Sequence, residues 1–190
     1  KEAKADDGQT PLHSAANNGH VDAIKVLVRL GADKEAKNAR GGTPIYSAAC
    51  NGKVEAIKVL AQLGADKDAQ TTAGSSSLHT AALVGNVEMA RALVQMGANI
   101  EAQGFGGLRP LHAAALRGHL EVAKVLVQHG GAELDALTPD GRTARAVSLS
   151  NGHPHVAQFL EAAARSRVAT ETLAGACAAC GSSSSSSGAA

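Results

Sequence analysis

Apolar residues recur along this chain in a fixed order. A first block, Thr10-Pro11-Leu12-His13-Ser14-Ala15-Ala16, reads as the start of a short helix. The Thr10 hydroxyl can accept from an orphan backbone N–H there. Pro11 falls at the first helical position, where no donor is needed. Ala15 and Ala16 are small enough for a neighbouring helix to approach closely. Gly19 then ends the helix, since glycine tolerates the positive φ such ends often require. A second helix is predicted over about Val21 to Leu30, with Ile24, Leu27 and Val28 at helical spacing. Gly31 stops it, and residues 33–42 read as a turn-rich connection.

The whole unit then repeats. Thr43-Pro44-Ile45-Tyr46-Ser47-Ala48-Ala49, Ser76-Ser77-Leu78-His79-Thr80-Ala81-Ala82 and Arg109-Pro110-Leu111-His112-Ala113-Ala114-Ala115 follow the first block, and the step from Leu12 to Ile45 to Leu78 to Leu111 is 33 residues each time. Ile57, Leu60 and Ala61 repeat the outer-helix face, and Gly52, Gly85 and Gly118 repeat the stop. Gly31-Ala32-Asp33, Gly64-Ala65-Asp66 and Gly97-Ala98-Asn99 keep the same step. Gly131-Ala132-Glu133 returns after one inserted residue, Gly130, and a weaker fifth copy starts at Gly141-Arg142-Thr143-Ala144.

These residues resemble the ankyrin repeat family, whose period is about 33 and whose signature is Thr-Pro-Leu-His-x-Ala. The resemblance covers roughly residues 1–165. It implies an all-α repeat fold, an ankyrin-repeat solenoid of helix–turn–helix pairs joined by short β-hairpin loops. The expected division is a partial repeat at 1–6, repeats at 7–39, 40–72, 73–105 and 106–139, a degenerate C-terminal capping repeat at 140–165 and a disordered Ala/Ser/Gly-rich tail at 166–190.

The ends differ from the middle. Lys1-Glu2-Ala3-Lys4 matches Lys34-Glu35-Ala36-Lys37, so the sequence is expected to open inside a hairpin and to leave one side of the first helix uncovered and prone to fray. In the fifth copy Arg145 stands where Leu111 stood, Ala146 replaces His112, Pro154 takes the place of Val21, and Glu161 falls at the position of Val28 and Val127. Polar exchanges of this kind suit a terminal cap. Beyond residue 165 no period is visible, and the run of six serines before Gly188 cannot bury enough surface to fold.

Composition narrows the function. Lys plus Arg is 18 against 17 Asp plus Glu, and aromatics are 2 % of the chain (Tyr46, Phe105 and Phe159). Neither a clustered basic footprint nor stacking platforms are present, so no nucleic-acid partner is expected. No stretch approaches the roughly 20 apolar residues of a membrane span, and no membrane partner is expected. Three cysteines, Cys50, Cys177 and Cys180, argue against a disulfide framework and point to a reducing compartment, the cytoplasm or the nucleus.

Candidate chemistry is thin. His13, His79 and His112 share one repeat position with Tyr46, a pattern that fits a structural role, and the resemblance implies a hydrogen bond between adjacent hairpins. His20, His119 and His153 follow the turn glycine and read as solvent-side residues. Cys177-Ala178-Ala179-Cys180 is a lone pair, whereas a structural zinc needs four ligands. Gly104-Phe105-Gly106-Gly107 lacks the Lys-Ser/Thr of a phosphate loop, and Ser75 to Ser77 read as hairpin residues with no His–Asp partner. No enzyme activity, cofactor or metal is expected. Asp22, Glu55, Glu88 and Glu121 each stand three residues before Lys25, Lys58, Arg91 and Lys124, a solvated charged face. Some ankyrin proteins are hydroxylated at an Asn two residues after the Gly-Ala-Asp motif, but that position holds Glu35, Asp68, Glu101 and Asp135.

The resemblance implies protein–protein recognition on a concave face lined by hairpin tips and the ends of the first helices. The chain is therefore read as a monomeric scaffold or adaptor; the alternative is the targeting segment of a larger enzyme. In the outer copies the free positions are polar. In the middle they hold Leu83, Val84, Phe105, Leu108, Leu116 and Arg117, which are predicted to meet in one apolar patch around the partner.

Overall fold

A computed structural model describes residues 5–181, with side chains described to Ala169. Its helices come in pairs: α1 Pro11–Asn18 with α2 Val21–Arg29, α3 Pro44–Cys50 with α4 Val54–Gln62, α5 Ser77–Val84 with α6 Val87–Gln95, α7 Pro110–Arg117 with α8 Leu120–Gln128, and α9 Ala144–Ser150 with α10 Pro154–Gly181. The odd-numbered helices pack side by side as an inner row, and the even-numbered helices form an outer row. Each pair contacts only its neighbours, which is the geometry of a solenoid.

The helices start and stop for the reasons the sequence supplies. Thr10 accepts from the His13 N–H, and His13 Nδ1 accepts in return from the Thr10 N–H at 3.2 Å. This reciprocal cap satisfies two of the donors that a helix N-terminus leaves open. At the other end Gly19 adopts φ 77°, a left-handed conformation that glycine accepts without a Cβ clash.

The core is continuous and built of small side chains. Leu12, Ile45, Leu78 and Leu111 lie buried between inner helices, while Ala16, Ala49, Ala82 and Ala115 let those helices approach. In the outer row Ile57, Leu60, Leu93, Val122 and Leu126 close the opposite side. The first pair is the exception. Val26 is 49 % exposed, against 6 %, 6 % and 2 % for its equivalents Val59, Ala92 and Val125. Ala23 and Leu30 are likewise exposed, and Val28 is only half-buried.

Two sequence expectations are corrected here. The connections between pairs form no strand among the described residues. They are turns, each closed by two backbone bonds within five residues, such as Asn38 N–H to the Gly42 carbonyl at 3.0 Å with Gly41 N–H to the Asn38 carbonyl at 2.9 Å, and Thr71 N–H to Ser75 at 3.0 Å with Gly74 N–H to Thr71 at 2.9 Å. Pairing stops within the turn, so a ladder never develops. The second correction concerns the tail. Helix α10 continues through residues 166–181, which were expected to be disordered. That stretch is rich in Ala with Leu and Glu, all strong helix formers, and Arg167 anchors its start to the preceding repeat. Residues 182–190, the serine run among them, lie outside the described residues.

Candidate partner-binding face

Successive turns are tied to one another before any partner is considered. Asp33, Asp66 and Asn99 each accept, through a side-chain oxygen, the N–H two residues on, at 2.9, 2.9 and 3.0 Å. The acid that supplies this N–H then reaches forward into the next turn. Glu35 accepts from the Asp66 N–H at 2.8 Å, Asp68 from Asn99 at 2.7 Å, and Glu101 from Glu133 at 2.9 Å. An Asn at 35, 68 or 101 could not supply the same charged acceptor. The acids that replace the hydroxylated Asn of other ankyrin proteins thus serve a structural ladder.

The histidine position works in parallel. His13 Nε2 donates to the Gly42 carbonyl at 3.0 Å, His79 to Leu108 at 3.0 Å and His112 to Ala136 at 3.0 Å. With Nδ1 accepting from the cap N–H, the proton belongs on Nε2. Burial is the largest cause holding His79 and His112 below the ordinary imidazole pKa, which favours the neutral ring this bond pattern requires. Tyr46 breaks the series. Its phenol faces Thr80 and Cys50 instead, burial holds it above the usual tyrosine range, and the buried Thr43 hydroxyl has no partner.

The turn residues after each glycine are also not free. His119 and His153 are half-buried, contrary to the solvent-side expectation. His119 lies over Gly85, where a Cβ would fall 2.6 Å from the ring, and its Nε2 bonds the Leu83 carbonyl at 3.2 Å. His153 covers Gly118 in the same way. These glycines therefore serve close approach as well as positive φ. On the outer helices, three of the predicted ion pairs form, Asp22–Lys25, Glu55–Lys58 and Glu121–Lys124 at 3.9, 3.4 and 2.7 Å, while Arg91 turns to His129 at 3.4 Å.

The surface left over by this framework is the row of inner-helix ends and turn tips. Leu83 and Val84 close α5, and Leu116 and Arg117 close α7 directly beside it. Val84 is 58 % exposed, Arg117 is exposed, and Leu83 and Leu116 are half-buried, Leu83 packing onto the core. Phe105 opens a 3₁₀ turn, Phe105–Gly107, and is 73 % exposed. Leu108 is half-buried, with its carbonyl held by the Gly104 N–H at 2.8 Å and by His79.

The six residues do not meet in one patch. Phe105 and Leu108 lie before the N-terminus of α7, whereas Leu83, Val84, Leu116 and Arg117 lie at the far ends of α5 and α7. The eight-residue α7, whose last two residues are Leu116 and Arg117, sets the groups about 12 Å apart. The face therefore carries two apolar points with a helix between them. Sequence reasoning also missed two exposed apolar residues of the following turn. Leu137 is 56 % exposed, and Pro139 is exposed with its ring 2.5 Å from where a Cβ on Gly107 would stand. The signal was present in the chain: Leu137 occupies the position of Gln70 and Gln103 once the inserted Gly130 is counted.

Earlier tips are joined by backbone bonds, Ala39 N–H to Asp7 at 2.9 Å and Thr72 N–H to Arg40 at 3.1 Å. Pro139 stands at the equivalent place and has no N–H to give. Apolar contact replaces the bond there.

Other chemistry is occupied or unfavourable. Burial pushes the Cys50 thiol up from its usual pKa, the direction that suppresses thiolate. Cys177 and Cys180 lie beyond the described side chains. Among the described residues, no helix is long and apolar enough to cross a membrane.

Comparison with known proteins agrees with the geometry. Ankyrin repeats match the chain in three copies, over residues 1–71, 30–104 and 78–169, and the chain belongs to the ankyrin-repeat family. Proteins of this family are generally protein-interaction modules rather than catalysts. No curated relative matches the chain.

Proposed function

We propose that this chain is a scaffold or adaptor module that holds a partner protein on its concave face, through Leu83, Val84, Phe105, Leu108, Leu116 and Arg117. The observation that carries the reading is Phe105. A chain with 2 % aromatics leaves one of its two phenylalanines 73 % exposed, on a turn whose backbone is pinned from both sides. Exposed aromatics on rigid supports are typical anchors, and Arg117 adds a directional contact at the other end of α7. The second apolar point, Val84 with Leu116, would engage the same partner about one inner-helix length, ~12 Å, away. The module works as a monomer, in the cytoplasm or nucleus, where the free thiol of Cys50 stays reduced.

The test is affinity capture with the intact array beside a Phe105→Ser, Leu116→Ser version. Helicity should be equal in both, and a partner retained by the first should be lost by the second. Equal capture by the two would overturn the assignment of this face.

A further inference from the structure

The fourth repeat breaks its own pattern at one place. In the first three copies the outer helix ends identically. Gly31 donates to the Val28 carbonyl at 3.0 Å, Gly64 to Ala61 at 2.9 Å and Gly97 to Val94 at 2.9 Å. The next alanine then reaches five residues back, from Ala32 to Leu27, Ala65 to Leu60 and Ala98 to Leu93. Together these bonds close the helix C-terminus, satisfying carbonyls that the helix itself leaves open.

Gly130 disrupts this closure. His129 and Gly130 both donate to the Val125 carbonyl, at 3.0 and 3.2 Å, and Ala132 must reach back six residues to Leu126. The Val127 carbonyl, equivalent to those of Val28, Ala61 and Val94, receives no backbone N–H among the described bonds. The inserted residue has to be glycine, because a Cβ there would lie 2.7 Å from the Leu126 carbonyl oxygen.

Arg167 fills the gap. Its Nη1 donates to the Ala132 carbonyl at 2.9 Å and its Nη2 to the Val127 carbonyl at 3.3 Å. The side chain is half-buried against the loop Glu133–Ala136. A guanidinium is suited to this place. It offers several donors in one rigid plane and brings positive charge to the negative end of α8. Arg167 sits 13 residues after Pro154 on α10, beyond the nine-residue length of the other outer helices.

We infer that the start of the α10 extension is a built-in strap. Arg167 takes over the helix closure that the Gly130 insertion opens, and so locks the loop 130–136 at the C-terminal end of the array. The loop in turn carries Glu133, which accepts from Arg109 at 2.7 Å while Arg109 also holds Glu101 at 2.5 Å. Arg109 stands directly before α7, next to Leu108. The strap thereby supports, at one remove, the turn that presents Phe105.

A four-variant cycle in the full chain tests this: the unchanged chain, Arg167→Gln, deletion of Gly130, and both together. Amide hydrogen exchange is read residue by residue. Arg167→Gln should speed exchange over residues 130–136 by roughly 10-fold or more, and leave α1 to α6 unchanged. Deleting Gly130 restores the backbone closure of the other copies, after which Arg167→Gln should change exchange by less than about 2-fold. No effect in the unchanged chain, or the same effect in both backgrounds, would overturn the strap. If the deletion variant does not fold, Arg167→Lys decides. Lysine keeps the charge but not the fork, so it should exchange at a rate between Arg and Gln; exchange equal to that of the unchanged chain would show that charge alone suffices and overturn the strap as a fork-specific closure.

Discussion

Replacing Tyr46 by histidine should stabilise the array. The buried Thr43 hydroxyl is without a partner, whereas the equivalent Thr10 and Ser76 hydroxyls lie 2.9 and 2.8 Å from a histidine Nδ1. Leaving a buried hydroxyl unpaired costs about 1–3 kcal/mol. A histidine at this position would also return the cross-turn bond, here to the Ser75 carbonyl, for a net gain of about 0.5–1.5 kcal/mol. Against this stand the lost polar contacts of the phenol with Thr80 and Cys50, about 1 kcal/mol, and about 1 kcal/mol for the smaller ring. Thr80 keeps its bond to the Ser76 carbonyl at 3.4 Å, so no new orphan arises. The balance is about +1 kcal/mol, or a rise in Tm of roughly 2–4 °C. Thermal unfolding followed by circular dichroism measures it. A second substitution sharpens the test. Thr43→Val should be neutral or stabilising beside Tyr46, and destabilising by about 1 kcal/mol in the Tyr46→His background. If Thr43→Val has the same sign in both backgrounds, the unpaired hydroxyl is not what distinguishes the second repeat.

The acid ladder, the histidines and the first helix pair yield further tests. Asp68→Ala removes the acceptor for the Asn99 N–H, and exchange at that amide should rise together with a loss of about 1–2 kcal/mol in stability. His79 and His112 have folded pKa values held below their unfolded values, chiefly by burial, so the unfolded chain binds more protons near pH 6.5. Stability should therefore fall as pH drops below about 6.5, and the slope should flatten in a His79→Gln, His112→Gln variant; an unaltered slope would place the titration elsewhere. With Ala23, Val26 and Leu30 uncovered, α1 and α2 should exchange faster than α3 and α4. Equal protection would show that this open face costs the first pair nothing.

How far the chain could be read depended on whether a feature repeats. The helices were legible because Thr-Pro-Leu-His, the turn glycine and Gly-Ala-Asp return at one spacing, and each has a local reason. The absence of strands among the described residues was not legible, because it depends on each turn making too few backbone bonds for a ladder. The acid ladder was visible only as a missing Asn; its purpose appears when Glu35, Asp68 and Glu101 are seen to reach the next turn. His119 and His153 read as surface residues because the glycine each one covers is about one repeat earlier in the chain. Arg167 has no equivalent in any other copy, so no period could flag it. For the candidate face, the choice of apolar residues at free positions came from the repeat. Their division between the two ends of α7, and the addition of Leu137 and Pro139, required three dimensions.

A partner held on the concave face leaves the outer helices free. A photo-crosslinking residue placed at Phe105 or Arg117, and separately at Glu88 or Glu121 on the outer helices, tests it most directly. One partner should crosslink from positions 105 and 117 and not from 88 or 121. Crosslinks confined to the outer positions would contradict it.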